Sequence, residues 1–78
     1  MHVVIAKVSE VFFDGEAYSM TVPATAGDMT VLGEHMPLIT TLKPGTISIR
    51  ETAGASPKEI EVEGGVMEVR HDGATVIL

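Results

Sequence analysis

Apolar and polar residues alternate with a period of two along most of the chain, and the clearest examples lie in its second half. In TISIR, Ile47 and Ile49 alternate with Thr46, Ser48 and Arg50, and in KEIEVE, Ile60 and Val62 alternate with Glu59, Glu61 and Glu63. Side chains two apart share one face of a strand, so each segment offers one apolar and one solvated face. VMEVR continues the pattern with Met67 and Val69 on one side, and Asp72-Gly73 then reads as a hairpin turn into ATVIL. In the first half, HVVIAKV and EAYSMTV are rich in β-branched residues and read as further strands, with Phe12, Phe13 and an Asp14-Gly15 turn between them.

Turn signals recur every several residues: Asp14-Gly15, Gly27-Asp28, Gly33, Pro44-Gly45, Gly54 to Pro57, Gly64-Gly65 and Asp72-Gly73. The intervals suit strands and are too short for amphipathic helices. Strands this short and numerous pack as two facing sheets, so the expected fold is all-β, a flattened two-sheet sandwich of short antiparallel strands that fills residues 1–78 as one domain. Its expected core is Ile5, Phe13, Val22, Ile47, Ile49, Ile60, Val62, Val69 and Val76, with Met20 and Met67 also in strand pattern. Thr52 to Pro57 reads as a mobile hairpin loop.

One stretch breaks the rule that loops in small domains are polar. GDMTVLGEHMP carries Met29, Val31, Leu32 and Met36 between two turn signals. Apolar residues left over in a loop suggest a surface that meets something, and methionine suits an adaptable protein contact. A loop folded back on its own sandwich would bury the same residues, and both readings stand at this point.

Composition narrows the chemistry. The 78 residues include 11 acidic and 5 basic side chains, for a net charge of -6, which disfavours phosphate backbones and anionic lipid faces and favours a partner with basic groups. Cysteine and tryptophan are absent, so no disulfide, thiolate zinc site or cysteine nucleophile can form. No apolar run approaches the roughly 20 residues needed to cross a bilayer, and MHVVIAKV is too soon interrupted by Lys7 for a secretory signal, so a soluble cytoplasmic chain is expected.

Candidate catalytic and metal sites are weak. His2, His35 and His71 lie far apart without a second ligand at metal spacing. Glu59, Glu61 and Glu63 share one strand face, where calcium would need ligands converging from a curved loop; a solvated edge that discourages association is the simpler reading. No nucleophile elbow and no glycine-rich phosphate loop occurs. A biotinyl or lipoyl carrier domain would need a lysine at a hairpin tip, and GVMEVRHDG has Glu68 and no lysine. No catalytic residue, cofactor or metal is expected.

FFDGEAYSMTVPATAGDMTVLGEHMPLITTLKPGTISIR, together with EIEVEGGVMEV, resembles the epsilon subunit of the F-type ATP synthase, in its N-terminal β-sandwich domain, from about Val3 to Leu78. The resemblance rests on several modest motifs in one order: the Phe13-Asp14-Gly15 segment, the long loop leading into Leu42-Lys43-Pro44-Gly45, and the Gly-Gly strand near the end. It implies a non-catalytic rotor subunit at the foot of the central stalk, packed on the gamma subunit and touching the c-ring, peripheral to the cytoplasmic face of a bacterial inner membrane. The loop from Ala26 to Pro37 would lie at that contact, with Asp28 and Met29 facing the ring and His35 near gamma. Its expected partner-binding set is Asp28, Met29, Val31, Leu32, His35, Met36 and Pro37. The chain departs from the family at Gly33-Glu34-His35-Met36-Pro37, where Pro-Gly-His-Ala-Pro is usual. Members of the family commonly continue into a helical hairpin, and a naturally short form without it is the expectation. The alternative is a free-standing β-sandwich adaptor of another complex.

Overall fold

A computed structural model describes all residues, 1–78, as nine strands and no helix. The strands are β1 (His2–Lys7), β2 (Glu10–Glu16), β3 (Ser19–Ala24), β4 (Gly27–Leu32), β5 (Leu38–Leu42), β6 (Gly45–Arg50), β7 (Lys58–Val62), β8 (Gly65–Arg70) and β9 (Gly73–Ile77). The hydrogen-bonded order is β2-β1-β9-β8-β5-β3-β6-β7, with β4 on the other edge of β3. β3 is the branch point. Its first residues pair with β6, as in Met20↔Ile49, whereas its last, Ala24, pairs with Leu42 of β5. The network therefore folds into two layers joined at that corner, β4-β3-β6-β7 and β5-β8-β9-β1-β2. The expected sandwich is present, curled towards a nearly closed barrel with extents of 27 × 23 × 22 Å.

All pairings are antiparallel except β1 with β9, which run parallel from His2↔Gly73 to Ala6↔Ile77. That exception explains Gly73. A Cβ there would lie 2.2 Å from the His2 carbonyl oxygen, so only glycine lets the two backbones meet. The β8–β9 hairpin forms as expected, but its two-residue turn is His71-Asp72, closed by Arg70↔Gly73, and neither turn residue has positive φ. The first hairpin differs more. Asp14-Gly15 lies inside β2, opposite Val4 and Val3, and the chain turns at Val8-Ser9 after a register shift between Ile5 and Ala6. Placing the turn six residues earlier, at 8–9 and not 14–15, keeps Phe13 opposite Ile5 on the inner face, and that burial outweighs the local preference of Asp-Gly for a turn.

The core follows the alternation. Met20, Val22, Val31, Ile47 and Ile49 from one layer meet Val3, Ile5, Met67, Ala74 and Val76 from the other, all of them 0% exposed. Fully burying one such aliphatic side chain contributes about 1.5–3 kcal/mol, so these positions dominate the stability of so small a domain. Phe13 and Ile60, expected in the core, are half-buried and pack against its rim. β7 closes the sheet at one end with Glu59 and Glu61 exposed, the solvated edge that its sequence indicates.

Candidate partner-binding surface

The stretch expected as one loop has two structures. Residues 27–32 form β4, in register with β3 from Ser19↔Leu32 to Ala24↔Gly27, and the irregular part begins only at Gly33. The difference has a simple cause: Met29 and Val31 are two apart, and pairing with β3 puts both on the inner face beside Val22 and Met20. Val31 is 0% exposed and Met29 packs against the core. Val31 is therefore a core residue and offers no side chain to a partner, which corrects its place in the expected set; Met29 serves chiefly the same inner face.

The other members of the set point outwards. Asp28 and Leu32 lie on the solvent face of β4, and Leu32 keeps 48% of its surface in water. Glu34 then takes a left-handed conformation, φ 64°, the one non-glycine residue of the chain to do so. A side chain in this conformation costs roughly 1–2 kcal/mol. The reversal lifts Met36, 78% exposed, off the body of the domain. His35 is half-buried and its Nδ1 lies 2.8 Å from the Met36 carbonyl oxygen; a carbonyl only accepts, so Nδ1 carries the hydrogen in this contact. Pro37 leads directly into β5. Asp28, Leu32, Met36 and Pro37 are thus solvent-facing and His35 braces the turn between them.

Two surface depressions flank this region. One, about 500 Å³, runs from Pro37, Leu38 and Ile39 to Glu68, Arg70 and His71. Arg70 is fixed over it by a 2.9 Å bond to the Thr75 hydroxyl and by ion pairs with Glu68 and Asp72. The other, about 560 Å³, is bounded by Leu32 and Gly33, by Tyr18, and by the start of the β6–β7 loop at Glu51 to Ala53. Neither gathers residues for bond-making chemistry. No group of three or more His, Cys, Asp or Glu side chains converges as a metal site would require.

A second apolar surface lies apart from the expected partner-binding set. Thr41, Val66, Ile77, Ala6 and Val11 face one another in a single cross-strand row over the outer face of β5, β8, β9, β1 and β2. Val66, Ile77 and Val11 are 43%, 53% and 62% exposed, and Ile39 beside them is 72% exposed. The sequence signal is a failure of alternation: Val3 to Ala6 and Val76 to Leu78 are apolar at consecutive positions, which puts apolar residues on both faces of their strands.

Comparison with known proteins agrees with this architecture. The family model described as "ATP synthase, Delta/Epsilon chain, beta-sandwich domain" matches residues 1–78. ATP synthase epsilon chains from Herminiimonas arsenicoxydans and Laribacter hongkongensis are 35% and 36% identical over 77 residues, which cover 99% of this chain and 55% of each relative. The chain therefore spans about half the length of the curated relatives it matches. Among solved structures, a chain of the Euglena gracilis mitochondrial ATP synthase superposes with a TM-score of 0.86 at 19% identity, covering 96% of this chain and 48% of that one. A chain of the Tetrahymena thermophila mitochondrial ATP synthase central stalk and c-ring gives 0.78 at 19% identity, covering 99% and 61%. At such identity the structural likeness speaks for the fold alone. With its whole length matched by the family model and with relatives above one-third identity, the chain belongs to the β-sandwich domain family of the ATP synthase delta/epsilon chains.

Proposed function

We propose that the protein is a non-catalytic rotor subunit of an F-type ATP synthase, which holds the foot of the gamma subunit to the c-ring so that ring rotation, driven by protons or sodium ions, turns the central shaft. The observation that carries this reading is the family match along the full 78 residues. The Leu32-to-Pro37 turn adds to it, because it presents exposed apolar and acidic side chains from a rigid sandwich. A close-packed interior transmits torque with little compression, and two layers that share buried side chains of 0% exposure suit that task. Affinity would come from a few apolar anchors, Leu32 and Met36 first, with Asp28 meeting basic groups and steering approach.

In this assignment Asp28, Leu32, His35, Met36 and Pro37 form the contact with gamma and the ring, with Met29 supporting them from the inner face. The protein would sit peripherally at the cytoplasmic face of a bacterial inner membrane, held there by the complex. The direct test is to tag the chain in its own cells, solubilise membranes gently and identify what co-purifies. Recovery of gamma, the catalytic subunits and the c-ring is expected; recovery of an unrelated complex would favour a free-standing sandwich adaptor.

A further inference from the structure

The two end strands of the sheet are defended against further pairing, and β4 is not. β2 is bulged against β1 and carries Glu10, Asp14 and Glu16, and β7 carries Lys58, Glu59 and Glu61. Bulges and charges of this kind blunt a sheet edge. β4 runs GDMTVL, pairs with β3 without interruption through six consecutive residue pairs, and holds one charge, Asp28.

Its free side can be read from its neighbour. The Lys43 amide donates to the Pro23 carbonyl at 2.9 Å, so Pro23 turns its carbonyl away from β4. Pro23 and Asp28 are consequently a non-hydrogen-bonded pair, and by alternation so are Thr21 with Thr30 and Ser19 with Leu32. The 2.9 Å contact between the Thr21 and Thr30 hydroxyls fits the closer approach of side chains in such pairs. Asp28, Thr30 and Leu32 therefore aim their amide and carbonyl groups out of the open edge. No backbone hydrogen bond outside the strand pairings uses any of them. The same three residues place their side chains on the solvent face.

We infer that β4 accepts an extended segment of a partner protein as an added antiparallel strand, and that the segment reads apolar, any residue, serine or threonine, any residue, then lysine or arginine. The direction fixes the order. The apolar residue lies beside Leu32, which walls the pocket shared with Gly33 and Tyr18; the hydroxyl meets Thr30; the cation meets Asp28. Asp28 takes part in none of the ion pairs of the domain, and the net charge of -6 opposes a second copy in the same place. Main-chain bonds supply affinity and alternate side chains supply selectivity, as in other strand-addition sites. The inference rests on β4 facing a partner, as in the proposed function, and specifies how that partner is held.

The test is a titration of the isotopically labelled 78-residue chain with a short capped peptide carrying leucine, threonine and lysine at successive alternate positions, followed by amide shifts and hydrogen exchange. Slowed exchange at Asp28, Thr30 and Leu32, with little change at Met29 and Val31, is expected. Asp28→Lys should weaken the peptide about tenfold or more. Thr30→Pro should abolish binding with the fold intact, since proline is tolerated where a strand amide faces solvent. A peptide with leucine and lysine exchanged should bind at least about tenfold more weakly. Equal binding of the exchanged peptide, perturbation centred on Ile39 and Val66, or protection of β4 that grows with protein concentration without peptide would each overturn the inference. No rotary complex enters this assay, so its outcome is separate from that of the co-purification.

Discussion

Residues 45–50 and 27–37 have similar apolar content and opposite uses of it. In β6 both isoleucines are fully buried, and Thr46, Ser48 and Arg50, which alternate with them, line the outer face. In the second region only Met29 and Val31 face inwards, while Leu32 and Met36 are left in water by a turn that holds Glu34 in a left-handed conformation. Stability resides in the first arrangement. The second holds apolar side chains in water at a cost in local backbone energy, an arrangement that suits the proposed contact surface and not a core.

Substitution can break this contrast, and the largest effect should come from β6. Ile49→Ala removes a fully buried side chain opposite Met20 and should cost about 2–5 kcal/mol, read as the loss of midpoint in urea unfolding. Unchanged stability would mean that the inner face is misassigned. Gly73→Ala should cost about 1–3 kcal/mol or more, because the new methyl meets the His2 carbonyl oxygen, a backbone atom that cannot step aside. A variant as stable as the parent would show that β1 and β9 do not run side by side. The neighbours Val31 and Leu32 divide the two regions most sharply. Val31→Ala should cost about 2 kcal/mol, and Leu32→Ala should stay within about 0.5 kcal/mol in the isolated domain. Equal losses would erase the distinction drawn between them. The smallest expected effect has the opposite sign: Glu34→Gly should stabilise the domain by about 1 kcal/mol by relieving the left-handed conformation, as measured by thermal unfolding.

Much of the fold was legible in the sequence because its strands keep a strict period. Ile47, Ile49, Val62, Met67 and Val69 are buried where alternation puts them. The turns were less legible. Asp14-Gly15 has turn chemistry but sits within a strand, because tertiary pairing of Phe13 with Ile5 decides the register. The parallel β1–β9 pair was invisible to local pattern, since it joins the two ends of the chain. At the candidate surface the sequence leaves an exposed and a folded-back run equally open: Leu32 and Met36 are exposed and Val31 is buried, and strand and loop look alike when a short run is read without its partner strand. The outer row of Val66, Ile77 and Val11 was missed for a related reason: an apolar run hides which of its residues face out, and only register separates Ile77 from Val76.

The central claim is that the turn after β4 meets the stalk and ring of a rotary ATP synthase. The most direct measurement replaces Met36 with a photo-crosslinking amino acid in the cells that make the protein, with Glu59 on β7 as the control position, and identifies the adducts by mass spectrometry. The account predicts adducts from Met36 to the gamma subunit or the c-ring and few or none from Glu59. Adducts from Met36 to an unrelated protein, or equal yields to the rotor from both positions, would contradict it.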